Sequence, residues 1–217
     1  MERVKSRTQS SPLRREQAAA TRARIIAAAA RVFATRGYEG ARIEDIAAEA
    51  GVAYPTVYKA FGNKGALLRA TVDAAMTGGA EEVVERQAWW LEQLEEPNPE
   101  RQLRLIARNA RRIYDRSGRL LEGVRAAAAG DEDIAALWQA VNDERLERSR
   151  TAAKRLSTKT RLRTPVAETV RILWALSGPE LYVLQTGHGG LSPGRYERWL
   201  GDLYVAALLP TRHKPAS

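Results

Sequence analysis

The chain has 217 residues, 44% hydrophobic and 28% charged, with a formal net charge of +9 and no cysteine. That length allows one small and one medium domain, and the absence of cysteine excludes disulfide frameworks, thiolate chemistry and cysteine–zinc sites. The basic excess is uneven: residues 1–69 hold 13 Lys and Arg against 6 Asp and Glu, the remainder 22 against 20. A polyanion therefore suits the N-terminal end, where counterion release favours phosphate binding.

Residues 1–13, with Ser10-Ser11-Pro12 and scattered basic side chains, are expected to be a disordered basic arm. Such an arm either adds phosphate or minor-groove contacts or is plain disordered chain. A first helix is expected from about Arg14 to Thr35, with Ile25, Ala29 and Phe33 one turn apart and Gly37 ending it. The basic start followed by Ala27 to Ala34 imitates a signal peptide, but Arg22, Arg24 and Arg31 break up any apolar region. No segment approaches a transmembrane span, so a soluble, cytoplasmic chain with no membrane partner is expected.

Ile43 to Lys64 reads as two short helices joined by a glycine turn. Ile43, Ile46, Ala47 and Ala50 recur at helical spacing, and Glu44 and Asp45 suit the positive end of that helix. Gly51 falls where a C-terminal cap needs the left-handed conformation. The second helix begins near Tyr54, with Pro55 tolerated in its first turn. Val57 and Phe61 face inward together, leaving Tyr54, Thr56, Tyr58 and Lys59 outward, a set suited to phosphates and base edges. Asn63 can cap a helix running from Lys64 to about Met76, and Lys64 then stands at its positive N-terminus.

The run Ala28 to Leu68 resembles the DNA-binding domain of the TetR/AcrR-type family of bacterial transcriptional regulators. The residues that carry the likeness are Phe33-Ala34-Thr35-Arg36-Gly37-Tyr38, Ile46-Ala47-Ala48-Glu49-Ala50-Gly51-Val52 and Thr56 to Leu68. The resemblance implies an all-α homodimer with an N-terminal three-helix helix-turn-helix domain and a helical C-terminal domain for ligand binding and dimerisation. It places the third helix in the major groove, with Tyr54, Thr56 and Lys59 at or near base edges. Arg42, Tyr58 and Lys64 are expected to hold phosphates. Ala53 departs from the hydroxyl residue usual at the start of that helix, Ala41 and Arg42 from the usual threonine and serine, and Gly65 from a common acidic residue.

Thr77-Gly78-Gly79 breaks the helical pattern, dividing a DNA-binding domain with its linking helix (14–76) from an effector-binding and dimerisation domain (80–209), with 210–217 as a tail. Helices are expected near 81–95, 99–116, 119–129, 132–157, 165–187 and 193–209, separated by Pro97, Pro99, Gly118, Gly130, Pro165 and Pro193. This half is similar to a subgroup of TetR-type proteins in Glu85 to Trp90, Arg101 to Tyr114, Ala135 to Trp138, Leu173 to Leu176 and Tyr196 to Leu200, a likeness that names no ligand. Asn109, Arg125, Trp138, Asn142 and Trp174 are the candidate ligand-binding residues. Asn109 lies beside the Leu103–Ile106–Ala110–Ile113 stripe, and Asn142, like Arg145, beside Trp138 and Val141. Arg125 interrupts a small apolar helix, where burial would demand an internal carboxylate or an anionic ligand. The tryptophans serve either as core filling or as ligand walls.

The last two helices carry apolar residues over wide arcs, which suggests burial against the domain and against a second subunit. A homodimer through them would match a palindromic operator. The expected function is a ligand-responsive transcriptional regulator, a repressor of this kind being released from double-stranded operator DNA by a small-molecule effector. The alternative is an effector-independent architectural DNA-binding protein on the same fold. His188 and His213 belong to no catalytic or metal spacing, and Asp131-Glu132-Asp133 reads as helix capping, so neither an enzyme nor a cofactor is expected.

Overall fold

Ile25, Ala28, Ala29, Val32 and Phe33 are buried along one face of the first helix, α1 (Pro12–Gly40), of a computed structural model that describes residues 12–79 and 83–210. Their spacing of three to four residues makes the segment helical and gives it a single face to bury. The helix already includes Pro12 and Leu13; the rest of the expected 1–13 arm, and all but Pro210 of the expected tail, lie outside the described residues. Gly37 interrupts α1 at φ 70° and ψ 179°, a conformation disfavoured by a side chain, so the last turn to Gly40 is offset from the helix before it.

Three short helices follow with the expected bounds: α2 (Ile43–Ala50), α3 (Tyr54–Phe61) and α4 (Lys64–Thr77). Ile46, Ala47, Val57, Leu67, Leu68 and Val72 close with α1 into one core. Beyond Gly78, in the left-handed conformation, come a single 3-10 turn (Val84–Arg86), α5 (Ala88–Glu95), α6 (Pro99–Ala127) and α7 (Glu132–Ser157). The chain continues through α8 (Val166–Leu176), α9 (Pro179–Val183), a π-type turn (Leu184–His188) and α10 (Pro193–Leu208). The fold is all-α, and no strand occurs among the described residues.

Three boundaries differ from those expected. The 81–95 segment is not one helix, because Gln87 is extended (φ −67°, ψ 138°) between the 3-10 turn and α5. The 165–187 segment breaks at Gly178-Pro179, where proline removes a backbone donor. The helices near 99–116 and 119–129 are in fact the single helix α6, which runs through Gly118. That glycine is a packing device: a Cβ there would lie 3.3 Å from both Tyr182 and Val183, which cross directly over it. Helix α6 is the central mast, packing against α1, α4, α5, α7, α9 and α10. Its Arg116 donates to the carbonyls of Ala75 (3.2 Å) and Met76 (3.3 Å), tying down the end of α4.

Candidate DNA-binding and effector sites

The turn between α2 and α3 is built by backbone geometry. Gly51 takes the left-handed conformation at φ 63°, and the Val52 amide donates to the Ala47 carbonyl at 3.0 Å. The last turn of α2 carries no basic side chain, and Arg24 of α1 supplies one from outside. Its Nη2 donates to the carbonyls of Ala50 (2.8 Å) and Gly51 (3.1 Å). Arg22 does the same for α3, donating to the Ala60 carbonyl at 3.2 Å while its guanidinium lies 4.2 Å from the Phe61 ring centroid. Sequence reading gave these arginines no structural task; the bare C-terminal turn of α2 was the signal that a basic partner was needed.

On α3 only Val57 is fully buried, with Phe61 half-buried under Arg22. Tyr54 and Tyr58 are 42% and 53% exposed and pack on one another with ring centroids 5.8 Å apart. Lys59 is exposed and Thr56 half-buried, turned to the side of the helix away from the tyrosine pair. Ala53 offers no side-chain cap, and neither does Arg42 to α2; in α3 Pro55 has no amide and the Thr56 amide donates to the Ala53 carbonyl at 2.9 Å, so the uncapped amides are chiefly those of α2. The Arg42 guanidinium is exposed and only loosely paired with Glu44, at 3.8 Å. Arg31–Glu49 (2.8 Å) and Arg36–Asp45 pair α1 with α2 on the neighbouring face.

Asn63 caps α4 as expected, its Oδ1 accepting from the Ala66 amide at 2.8 Å. The Lys64 ammonium lies 4.4 Å from the Tyr38 ring centroid and 3.4 Å from the Glu39 carbonyl oxygen. Burial and the nearby charges of Asp131 and Asp133 hold the Tyr38 phenol above its ordinary value. Asp131 itself caps α7, accepting from the Ile134 amide at 3.1 Å, while Glu132 and Asp133 lie in the first turn of that helix.

The five residues expected at a ligand site fall in three places. Asn109, 5% exposed, lines an inner cavity of about 70 Å³ between α4, α5, α6, α7 and α8, together with Met76, Trp90, Gln93, Ile113 and Arg145. Its Nδ2 donates to Gln93 Oε1 (2.9 Å) and to the Trp89 carbonyl (3.2 Å). Trp138, Asn142 and Trp174 line a separate groove of about 600 Å³ between α7 and α8. Arg125 joins neither: it is half-exposed and paired with Glu122, because the buried phase of α6 runs through Leu120, Leu121 and Val124 and leaves position 125 outside. Arg145 lines both spaces, and Gln93 was missed although it sits on the buried face of α5 beside Trp90 and Leu94.

Among the described residues no helix is long and apolar enough to cross a membrane, and no group of three or more His, Cys, Asp and Glu is placed to hold a metal ion. Residues 25–71 match the model of a family described as bacterial regulatory proteins, tetR family. No curated protein matches the chain. The fold is similar to that of SmeT solved with triclosan (TM-score 0.69, 22% identity, 91% of this chain and 96% of that one). It is also similar to FadR of Bacillus subtilis solved with stearoyl-CoA (TM-score 0.65, 17% identity, 85% and 97%). A third likeness is to a protein of Mesorhizobium loti described as a TetR-family transcriptional regulator (TM-score 0.63, 23% identity, 88% and 98%). At these identities the likeness is one of fold.

Proposed function

We propose, for a chain whose residues 25–71 match the model of the tetR family of bacterial regulatory proteins, that the protein is a cytoplasmic, ligand-responsive transcriptional repressor. It binds a palindromic operator as a homodimer and is released by a small-molecule effector, without catalysis or cofactor. Residues 14–76 serve as reader and link, and 80–209 as effector and dimerisation domain. Helix α3 enters the major groove with Tyr54, Thr56 and Lys59 toward base edges, while Arg42, Tyr58 and Lys64 hold phosphates. The uncapped start of α2, beside the exposed Arg42, supports that placement, since such ends attract phosphate. Dimerisation through α8 and α10 is supported by apolar side chains left exposed on them, Val166 (41%) and Trp199 (36%) among them.

One observation carries the regulatory part. Helix α4 has the phosphate-directed Lys64 at one end and Met76, in the wall of the inner cavity, at the other. A molecule that widens the cavity must move Met76, and a rigid helix passes that motion to Lys64. SmeT with triclosan and FadR with stearoyl-CoA support this reading, as proteins of similar fold solved with a small molecule. The effector must favour one position of α4 over the other, because equal affinity for both shifts nothing.

The inner cavity also supports a second reading. At about 70 Å³ it is small, which suits an effector-independent architectural protein. A thermal-shift screen of small molecules, repeated with a bound DNA fragment, separates the two. The repressor reading expects a compound that stabilises the protein and frees the DNA; stabilisation that leaves every DNA complex intact would favour the architectural protein.

A further inference from the structure

Arg145 is a buried cation that forms no ion pair among the described residues. Its side chain is on α7 in a residue only 7% exposed, and both its polar contacts are neutral acceptors: Nη1 donates to Asn142 Oδ1 (2.7 Å) and Nη2 to the Trp174 carbonyl (3.0 Å). Its Nε–H has no partner at all. A second buried donor close by is equally orphaned, the indole Nε1–H of Trp174, whose ring lies 5.8 Å from the guanidinium carbon. Buried polar groups are normally paired, and a buried charge most of all, so two neighbouring orphans ask for an acceptor.

The surroundings define what that acceptor belongs to. Arg145 forms the wall between the inner cavity and the α7–α8 groove, where Trp138, Leu146 and Trp174 offer apolar surface. The groove has two carboxylates, and neither pairs with Arg145. Asp143 is held by Gln139 (2.9 Å), and Glu180, an exposed residue, brings its Oε2 beside Gly178 near Arg145 Nη2 without pairing with it. A guanidinium and an indole N–H are donors only, so the deep end accepts lone pairs and repels cations. The two acidic residues at the rim disfavour a dianion more than a monoanion.

We propose that Arg145 Nε and Trp174 Nε1 together receive the carboxylate of an amphipathic organic monoanion, whose apolar body lies against Trp138, Leu146 and the Trp174 ring. This inference rests on the reading of the C-terminal helices as an effector receiver and names the effector's chemical class. It also ties that class to the DNA-binding surface. Helix α7 carries Arg145 near its middle and, at its start, the Asp131 and Asp133 whose charges reach Tyr38, the seat of Lys64.

Titration calorimetry of the full chain with three isosteric probes, naphthoate, naphthalenemethanol and naphthylmethylammonium, tests the class directly. Naphthoate should bind at least about tenfold more tightly than the alcohol, and the ammonium least. Arg145→Gln should erase the preference for acid over alcohol. Trp174→Phe, which keeps an aromatic ring and loses the orphan N–H, should weaken naphthoate several-fold more than it weakens the alcohol. If Arg145→Gln fails to fold, the wild-type probe series and Trp174→Phe still decide. An alcohol that binds as well as the acid, a preference for the ammonium, an indifferent Trp174→Phe or a naphthoate that does not bind would each overturn the site. Naphthoate bound as proposed but without effect on DNA affinity would uphold the anion site and count instead against the effector reading.

Discussion

The Lys64 ammonium rests on the ring of Tyr38, 4.4 Å from its centroid, so the first residue of α4 is held by the last turn of α1. Asp131 and Asp133, at the start of α7, reach the same tyrosine electrostatically. Three helices thus converge on the one lysine assigned to a phosphate, and small shifts of α4 or α7 change where its charge is presented. Lys64→Ala should weaken binding to every duplex sequence alike and reduce the dependence of log K on log salt by about one. Gel-shift titrations over a salt series would contradict this role if discrimination between sequences fell while the salt slope stayed constant.

Thr56 and Lys59 carry a different expectation. They lie on α3 away from the Tyr54–Tyr58 pair and, with Tyr54, are the residues proposed for base edges. Replacing either by alanine should cost about 1–3 kcal/mol against the preferred sequence and much less against random duplex. Competition binding with specific and random fragments measures the ratio. Equal losses on both would reassign the residue to the backbone.

Arg24→Ala should destabilise the reader without touching its DNA surface. The guanidinium closes the carbonyl end of α2 through Ala50 and Gly51, and losing those bonds should cost about 1 kcal/mol. The midpoint of urea unfolding reports it. An unchanged midpoint would show that water serves these carbonyls as well as arginine does.

Tyr196 links packing to pH. It is fully buried, its hydroxyl has no partner, and burial followed by the neighbouring Tyr114 and Tyr182 holds the phenol well above its ordinary value. Tyr204, also fully buried, is raised chiefly by burial. For an acid with a raised folded-state value, stability is fully present below the unfolded value of about 10 and is lost as pH climbs beyond it. Each such tyrosine contributes a loss of about 1.4 kcal/mol per pH unit in that range. Tyr196→Phe should therefore raise stability by about 1 kcal/mol near neutrality, by deleting an unpaired buried hydroxyl, and make the alkaline loss shallower. Denaturant unfolding between neutral pH and pH 11 tests both, and an unchanged alkaline slope would place the titration elsewhere.

What the sequence disclosed, and what it withheld, divides along chain distance. The helix-turn-helix was legible because its determinants are local: apolar spacing in Ile46, Ala47 and Ala50, a left-handed Gly51, and Asn63 capping three residues ahead. Arg24 was not, because its partners lie 26 and 27 residues away. Gly118 was read as a break from its low helix propensity, yet packing against Tyr182 and Val183 outweighs that local cost. Arg125 and Arg145 both sit beside apolar residues on long helices, the first after Val124 and the second before Leu146. Only the phase set by Leu120, Leu121 and Val124 turns the first outward, while Val141 and Ser149, one turn either side, share the buried face of the second. Burial of that kind is settled by which helices meet, and no window of residues contains it.

Selection of bound duplexes from a random library by the purified full chain tests the central claim most directly. The account predicts enrichment of an inverted repeat with half-sites about one helical turn apart, lost in Thr56→Ala with Lys59→Ala, as two copies of α3 in successive major grooves require. Recovery of a single unrepeated half-site, or of no preferred sequence by a protein that still binds DNA, would contradict it.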